Sequence, residues 1–155
     1  MNAVALSETV LENARPEVAE WLAEYVVRHG GLVGSVHLSE PAEEGEIVLV
    51  AAYNLPPVVV NGAAVVVVGK GMAGVTAERR APIGISDLQT DTSGVARPPA
   101  RASQARGSVT LPVFAPDAPE KLVAVVGLGF AEHREFTDAE IAKLGADATT
   151  VLTVA

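Results

Sequence analysis

Three glycines in the middle of the chain, Gly69, Gly71 and Gly74, stand in the spacing Gly-x-Gly-x-x-Gly. A dinucleotide site uses that spacing for a tight turn, a close approach to pyrophosphate and a helix packed hard on a strand. The chemistry would be hydride transfer, and it calls for an acid about 20 positions on to hold the ribose. Here the acid, Asp87, follows Gly74 by thirteen positions, and Pro82 leaves room for a helix of barely two turns between them. So short a helix cannot cross over a parallel sheet, and the motif lies mid-chain rather than opening a run of strand–helix units. A P-loop fails as well, because Lys70 is followed by Gly71 and not by Ser or Thr. The motif is then a turn into a short helix whose first residues, Met72, Ala73 and Gly74, offer backbone N–H donors to a ligand.

A second group follows at once. The segment 87–107 holds Asp87, Asp91, Arg97, Arg101, Gln104 and Arg106, and three of the chain's 11 Lys and Arg lie within its last half. The chain as a whole carries a net charge of −8. Arginine forks suit carboxylate, nitrate or phosphate. The alternative is a solvated loop whose arginines pair with Asp87 and Asp91. The remaining chemistry is thin. There is no cysteine, so thiolate catalysis, disulfides and Cys-ligated metal are excluded. His29, His37 and His133 are scattered and read as surface or satisfied core groups rather than ligands. No Ser-His-Asp spacing and no metal-ligand cluster is readable, so the expectation is no enzyme, no metal and no cofactor.

The elements that must position these residues can be read from periodicity. Ser7 caps a first short helix carrying Val10, Leu11 and Ala14. Pro16 suits the first turn of a second helix, with Val18, Leu22, Tyr25 and Val26 on one face and Gly30-Gly31 at its end. Residues 32–38 and 47–53 read as an antiparallel strand pair. The valines at 58–60 and 65–68 flank Asn61-Gly62, a turn signal, and are strands or extended connector, since β-branched residues disfavour helix. The short helix covers about 72–80, a brief strand 83–86, and strands 108–114 and 122–130 close the sheet. Thr137 and Glu140 form a capping box for a last helix over 137–154, with Ile141, Leu144, Ala148, Val151 and Leu152 on one face. At 155 residues this is one domain, spanning 1–155. Connections too short for crossovers predict an α+β fold with a mainly antiparallel sheet of five or six strands.

The stretch Gly69-Lys-Gly-Met-Ala-Gly74, followed by Pro82-Ile-Gly-Ile-Ser-Asp-Leu-Gln-Thr-Asp91, resembles the GAF domain. The resemblance extends upstream to residues 47–56 and downstream to 107–114, 122–129 and 135–141. It covers about 16–151. It implies a central antiparallel sheet with the terminal helices on one face, often as a dimer surface. The short helix and the long loop would then cover a ligand pocket on the other face. Within that family the missing cysteines exclude covalent bilin and the methionine sulfoxide reductase chemistry. No histidine falls in the covering loop, as haem would ask, and the cyclic-nucleotide signature is absent.

The function expected is binding of a small molecule, an anionic metabolite among the candidates, in signalling or regulation. The ligand would meet Met72, Ala73, Gly74, Asp87, Asp91, Arg97, Arg101 and Arg106. The alternative is a ligand-free dimerisation or protein-interaction module with the same fold. Partners expected are a second copy of the chain and a separate kinase or transcription regulator. The acidic charge disfavours nucleic acid and anionic membrane. With no signal peptide and no run of about 20 apolar residues, the protein is expected in the cytoplasm.

Overall fold

A computed structural model describes residues 4–40, 42–96 and 103–155. The order is α1 (Glu8–Asn13), α2 (Pro16–Arg28), β1 (Val33–Leu38), β2 (Glu46–Tyr53), α3 (Pro57–Gly62), β3 (Val65–Val67), α4 (Gly71–Arg79), β4 (Ile83–Ile85), β5 (Ser108–Ala115), β6 (Ala118–Gly129) and α5 (Asp138–Ala148), with a 3-10 turn over Thr149–Thr153. The strands form one six-stranded sheet in the order β3-β2-β1-β6-β5-β4, and every neighbouring pair is antiparallel. The first and last strands of the long pairs, β1 and β6, meet at the centre.

Alternation along the strands divides the sheet into two faces. Val36, Leu38, Val109, Leu111, Val113, Ala124, Val126 and Leu128 pack under α2 and α5 in the main core. The 3.6-residue stripe of α2, Val18, Leu22, Tyr25 and Val26, is fully buried there, as are Leu144 and Val151 of the C-terminal helical segment. The phenol of Tyr25 donates to the carbonyl of Leu144 at 2.8 Å, and the indole of Trp21 donates to Thr150 Oγ1 at 2.8 Å. These bonds lock the two helices side by side. Gly34 lets α2 come down onto β1: a Cβ there would meet Val26 Cγ2 at 2.6 Å and Leu22 Cδ1 at 3.0 Å. The stripe of α2 thus packs on the chain's own sheet, as do Leu144 and Val151, while Ile141 and Leu152 are partly buried beside them.

One element departs from the sequence reading. Residues 57–62 form a helix, α3, where the valines predict extended chain. Pro56 has an extended backbone (φ −69°, ψ 151°) and Pro57 takes the first helical position, where its missing N–H costs nothing. Packing then overrides propensity. Val59 and Val60 are buried, Val60 in a cluster with Val10, Leu49 and Ala64, while Val58 is left 54% exposed. Asn61 is no hairpin turn. Its side chain accepts from the Ser7 amide at 2.8 Å and donates to the Ala5 carbonyl at 2.9 Å, tying α3 to the N-terminal segment. Smaller differences follow the same logic. β6 begins at Ala118, because Pro116 and Asp117 suffice as a two-residue turn with Ala115 opposite Ala118. The last helix keeps its capping box on Thr137 and Glu140 but tightens to 3-10 after Ala148.

Candidate functional site

Among the described residues, the second face of the sheet carries only the short helices α3 and α4. Val33, Ser35 and His37 of β1, Leu49 of β2, Ser108 and Thr110 of β5, and Gly127 and Gly129 of β6 form the floor of a cavity of about 440 Å³. Register explains the floor. Ser35 and Thr110 both lie opposite Gly127, and Val33 and Ser108 both lie opposite Gly129. Each row therefore has a glycine at its centre: a side chain at Gly127 would enter the space beside Ser35, and one at Gly129 would run into Val33 and Ala105. The roof comes from α3 (Val59, Val60), β3, the start of α4 and, from the long loop, Leu88, Ala96, Ser103 and Ala105.

The glycine motif builds that roof. Gly69 (φ +98°) and Gly71 (φ +71°) take left-handed conformations that make the turn out of β3. Gly74 lets α4 lie against β3, because a Cβ there would run into the carbonyl of Val67. Lys70, at the N-cap, provides no side-chain cap, so α4 begins with its first-turn N–H groups uncapped by any side chain. Lys70, Gly71, Met72 and Ala73 all line the cavity. A buried hydroxyl pair holds this turn in place: Thr76 on α4 bonds Thr110 on β5, and Thr110 Oγ1 also lies 3.4 Å from the Met72 carbonyl.

His37 is the most unusual lining residue. It is 3% exposed, and its Nε2 lies 2.8 Å from the carbonyl of Ala63. Since a carbonyl only accepts, Nε2 carries the proton. Burial pushes its pKa down to about 4, partly opposed by that bond, so the ring is neutral at physiological pH. Its Nδ1 is buried with no partner among the described residues. The sequence reading took the histidines for surface or satisfied core groups; His37 is a buried group with Nε2 bonded, and it borders the cavity.

The residues expected from the sequence separate. Met72 and Ala73 line the cavity, while Gly74 is buried behind them against β3. Asp87 accepts from the Gln89 amide at 3.0 Å and faces Arg106 at 3.8 Å. Asp91 accepts from the Ser93 hydroxyl at 2.7 Å. Asp87, Asp91 and Arg106 stand outside the cavity lining. Arg97 and Arg101 lie outside the described residues. Sequence reasoning missed Ser35, His37, Lys70, Ser108 and Thr110. The signal was there: a polar pair two residues apart inside an apolar strand, twice over, marks one polar face.

A family model for the GAF domain matches residues 12–151. The chain belongs to the GAF domain family. Solved structures agree on the fold. The GAF domain of a phosphoenolpyruvate-protein phosphotransferase (ptsP) from Coxiella burnetii superposes with a TM-score of 0.68 at 22% identity, over 95% of this chain and 88% of that one. The second GAF domain of DevS from Mycobacterium smegmatis gives 0.62 at 18% identity, with 88% of each chain covered. A type II free methionine-R-sulfoxide reductase from Thermoplasma acidophilum gives 0.68 at 12% identity, with 94% of each covered. That last neighbour corrects the expectation of no enzyme: this GAF fold is shared with enzymes, so the fold is no ground for excluding catalysis. No curated protein matches the chain. Among the described residues no helix is long and apolar enough to cross a membrane, and no three His, Asp or Glu group as a metal site would need.

Proposed function

We propose that this GAF domain binds a small organic molecule between the sheet and α3 and α4, and so acts as a ligand-responsive module in signalling or regulation. The carrying observation is the cavity. Its size suits a small ligand, and its wall is mostly apolar with a few polar groups converging on it. The rival, an interaction module with a collapsed pocket, calls for large side chains at the centre of the floor, where Gly127 and Gly129 stand.

The acidic end expected of the ligand goes to Lys70 and the uncapped first turn of α4, not to Arg106, which is paired with Asp87. Lys70 is the one formal charge lining the cavity among the described residues. A charge-assisted bond to it contributes about 1.5–3 kcal/mol. The test is a calorimetric titration with benzoate and with benzamide, on the native protein and on Lys70→Gln. Benzoate should bind the native protein about tenfold or more tighter than benzamide, and Lys70→Gln should abolish the preference. Equal binding of the two compounds to the native protein would refute the acidic end. A signalling partner such as a kinase or transcription regulator would read the bound state.

A further inference from the structure

We propose that the side-chain hydroxyl of Ser35 is a specificity-determining contact in the floor of this cavity, bonding a hydroxyl or carbonyl oxygen of the ligand. This rests on the cavity being the ligand site and names what that site selects.

The strand fixes where Ser35 points. Its two neighbours on β1 face the helices: a Cβ at Gly34 would meet Val26 and Leu22 of α2, and Val36 is buried in the main core. Alternation therefore sends the Ser35 side chain to the opposite face. There Ser35 and its cross-strand partner Gly127 both line the cavity. The Ser35 oxygen stands over that glycine, 2.6 Å from where a Cβ at 127 would be, so the missing side chain is what leaves the oxygen clear.

The floor holds three hydroxyls, and two are spent inside the protein. Thr110 bonds Thr76, and Ser108 Oγ lies 3.5 Å from the Leu128 carbonyl. Ser35 Oγ has no hydrogen-bond partner among the described residues. The buried side-chain atoms left unpaired there are ring nitrogens of His29 and His37, so Ser35 Oγ is not a covered atom. It is both unpaired and accessible, on the face that lines the cavity. An open hydroxyl in a mostly apolar wall is what fixes a polar atom of a ligand.

The ligand class follows. A hydroxyl donates and accepts, so it takes an alcohol, phenol or ketone oxygen. Lys70 stands in the roof, at the start of α4, and Ser35 in the floor. An acid at the one and a neutral oxygen at the other describe a hydroxy or oxo acid with an apolar body.

Phenol and toluene make the test. They share a ring, differ by a hydroxyl against a methyl, and carry no acid, so Lys70 does not enter. Both are titrated into the native protein, Ser35→Ala and Ser35→Cys, with NMR reading affinity and the resonances that move. Ser35→Ala should weaken phenol about fivefold and leave toluene unchanged or tighter. Ser35→Cys keeps a side chain of similar size with only a weak thiol donor, and it should change the two compounds in the same way. Equal weakening of both compounds would make Ser35 a packing residue, and no change in either would leave its oxygen unused. Each of those results overturns the inference while the cavity reading stands. If neither compound shifts a cavity resonance of the native protein, both fall.

Discussion

The buried histidine makes a prediction about stability that needs no ligand. In the unfolded chain His37 titrates near 6.5, and in the folded one near 4. Above 6.5 both states hold the neutral ring and nothing is lost. As pH falls below 6.5 the unfolded chain takes up a proton that the folded chain refuses, so stability drops until the folded pKa is reached. At about 1.4 kcal/mol per pH unit, the full displacement amounts to about 3 kcal/mol. That is a large part of the ~5–15 kcal/mol that holds a domain of this size together. Other groups titrate in the same window, including His29, whose pKa burial also lowers despite Asp147 at 3.1 Å. The measurement is therefore a difference. Urea denaturation of the native protein and of His37→Gln is compared from pH 8 to pH 4. Carboxylates and His29 cancel, and the native protein should lose about 3 kcal/mol more than the variant. Parallel curves would show that His37 is hydrated or charged in the folded state, and the account of its tautomer would fail with them.

Three further outcomes follow from the packing. Gly74→Ala should lower the melting temperature and loosen the cavity roof, because its Cβ meets the backbone carbonyl of Val67, which cannot rotate away; amide exchange in α4 should quicken. Thr76→Val leaves Thr110 without its hydroxyl partner and should cost about 1–2 kcal/mol in chemical denaturation. Tyr25→Phe should cost about 1 kcal/mol at neutral pH by losing the bond to Leu144. It should also flatten the alkaline limb of the stability curve. Burial and Asp147 raise the Tyr25 pKa above its ordinary 10, so the native protein loses stability as pH rises past 10 and the variant does not.

The fold was legible because its signals are local. The stripe of α2, the Thr137–Glu140 box and the short connections each follow from neighbouring residues, and together they force an antiparallel sheet with α2 and α5 on one face. The helix at 57–62 was not legible. Its valines favour extended chain, and only the burial of Val59, and of Val60 in a cluster with Val10 of α1, reverses that preference. The site was half legible. The glycine motif pointed to the start of α4, and Met72 and Ala73 do line the cavity. The arginines of the loop drew attention by their density, yet Arg106 turns to Asp87. What sequence inspection passed over was alternation. Ser35 with His37, and Ser108 with Thr110, are spaced two apart in apolar strands, and both pairs face the cavity. Seeing that they converge required knowing that β1 and β5 both pair with β6, which places Gly127 between Ser35 and Thr110.

The central claim is that the space above Gly127 is a ligand site. Its most direct test is chemical-shift mapping of the native chain during titration with small organic acids and phenols, repeated on Gly127→Val. A Cβ at 127 would meet only Ser35 Oγ closely, at 2.6 Å, and that hydroxyl can rotate, so the variant should fold while its side chain fills the floor. The account predicts saturable shifts confined to Ser35, His37, Lys70 to Ala73, Thr110 and Gly127, and their loss in the variant. Saturable binding that maps elsewhere, or that Gly127→Val leaves intact, would contradict it.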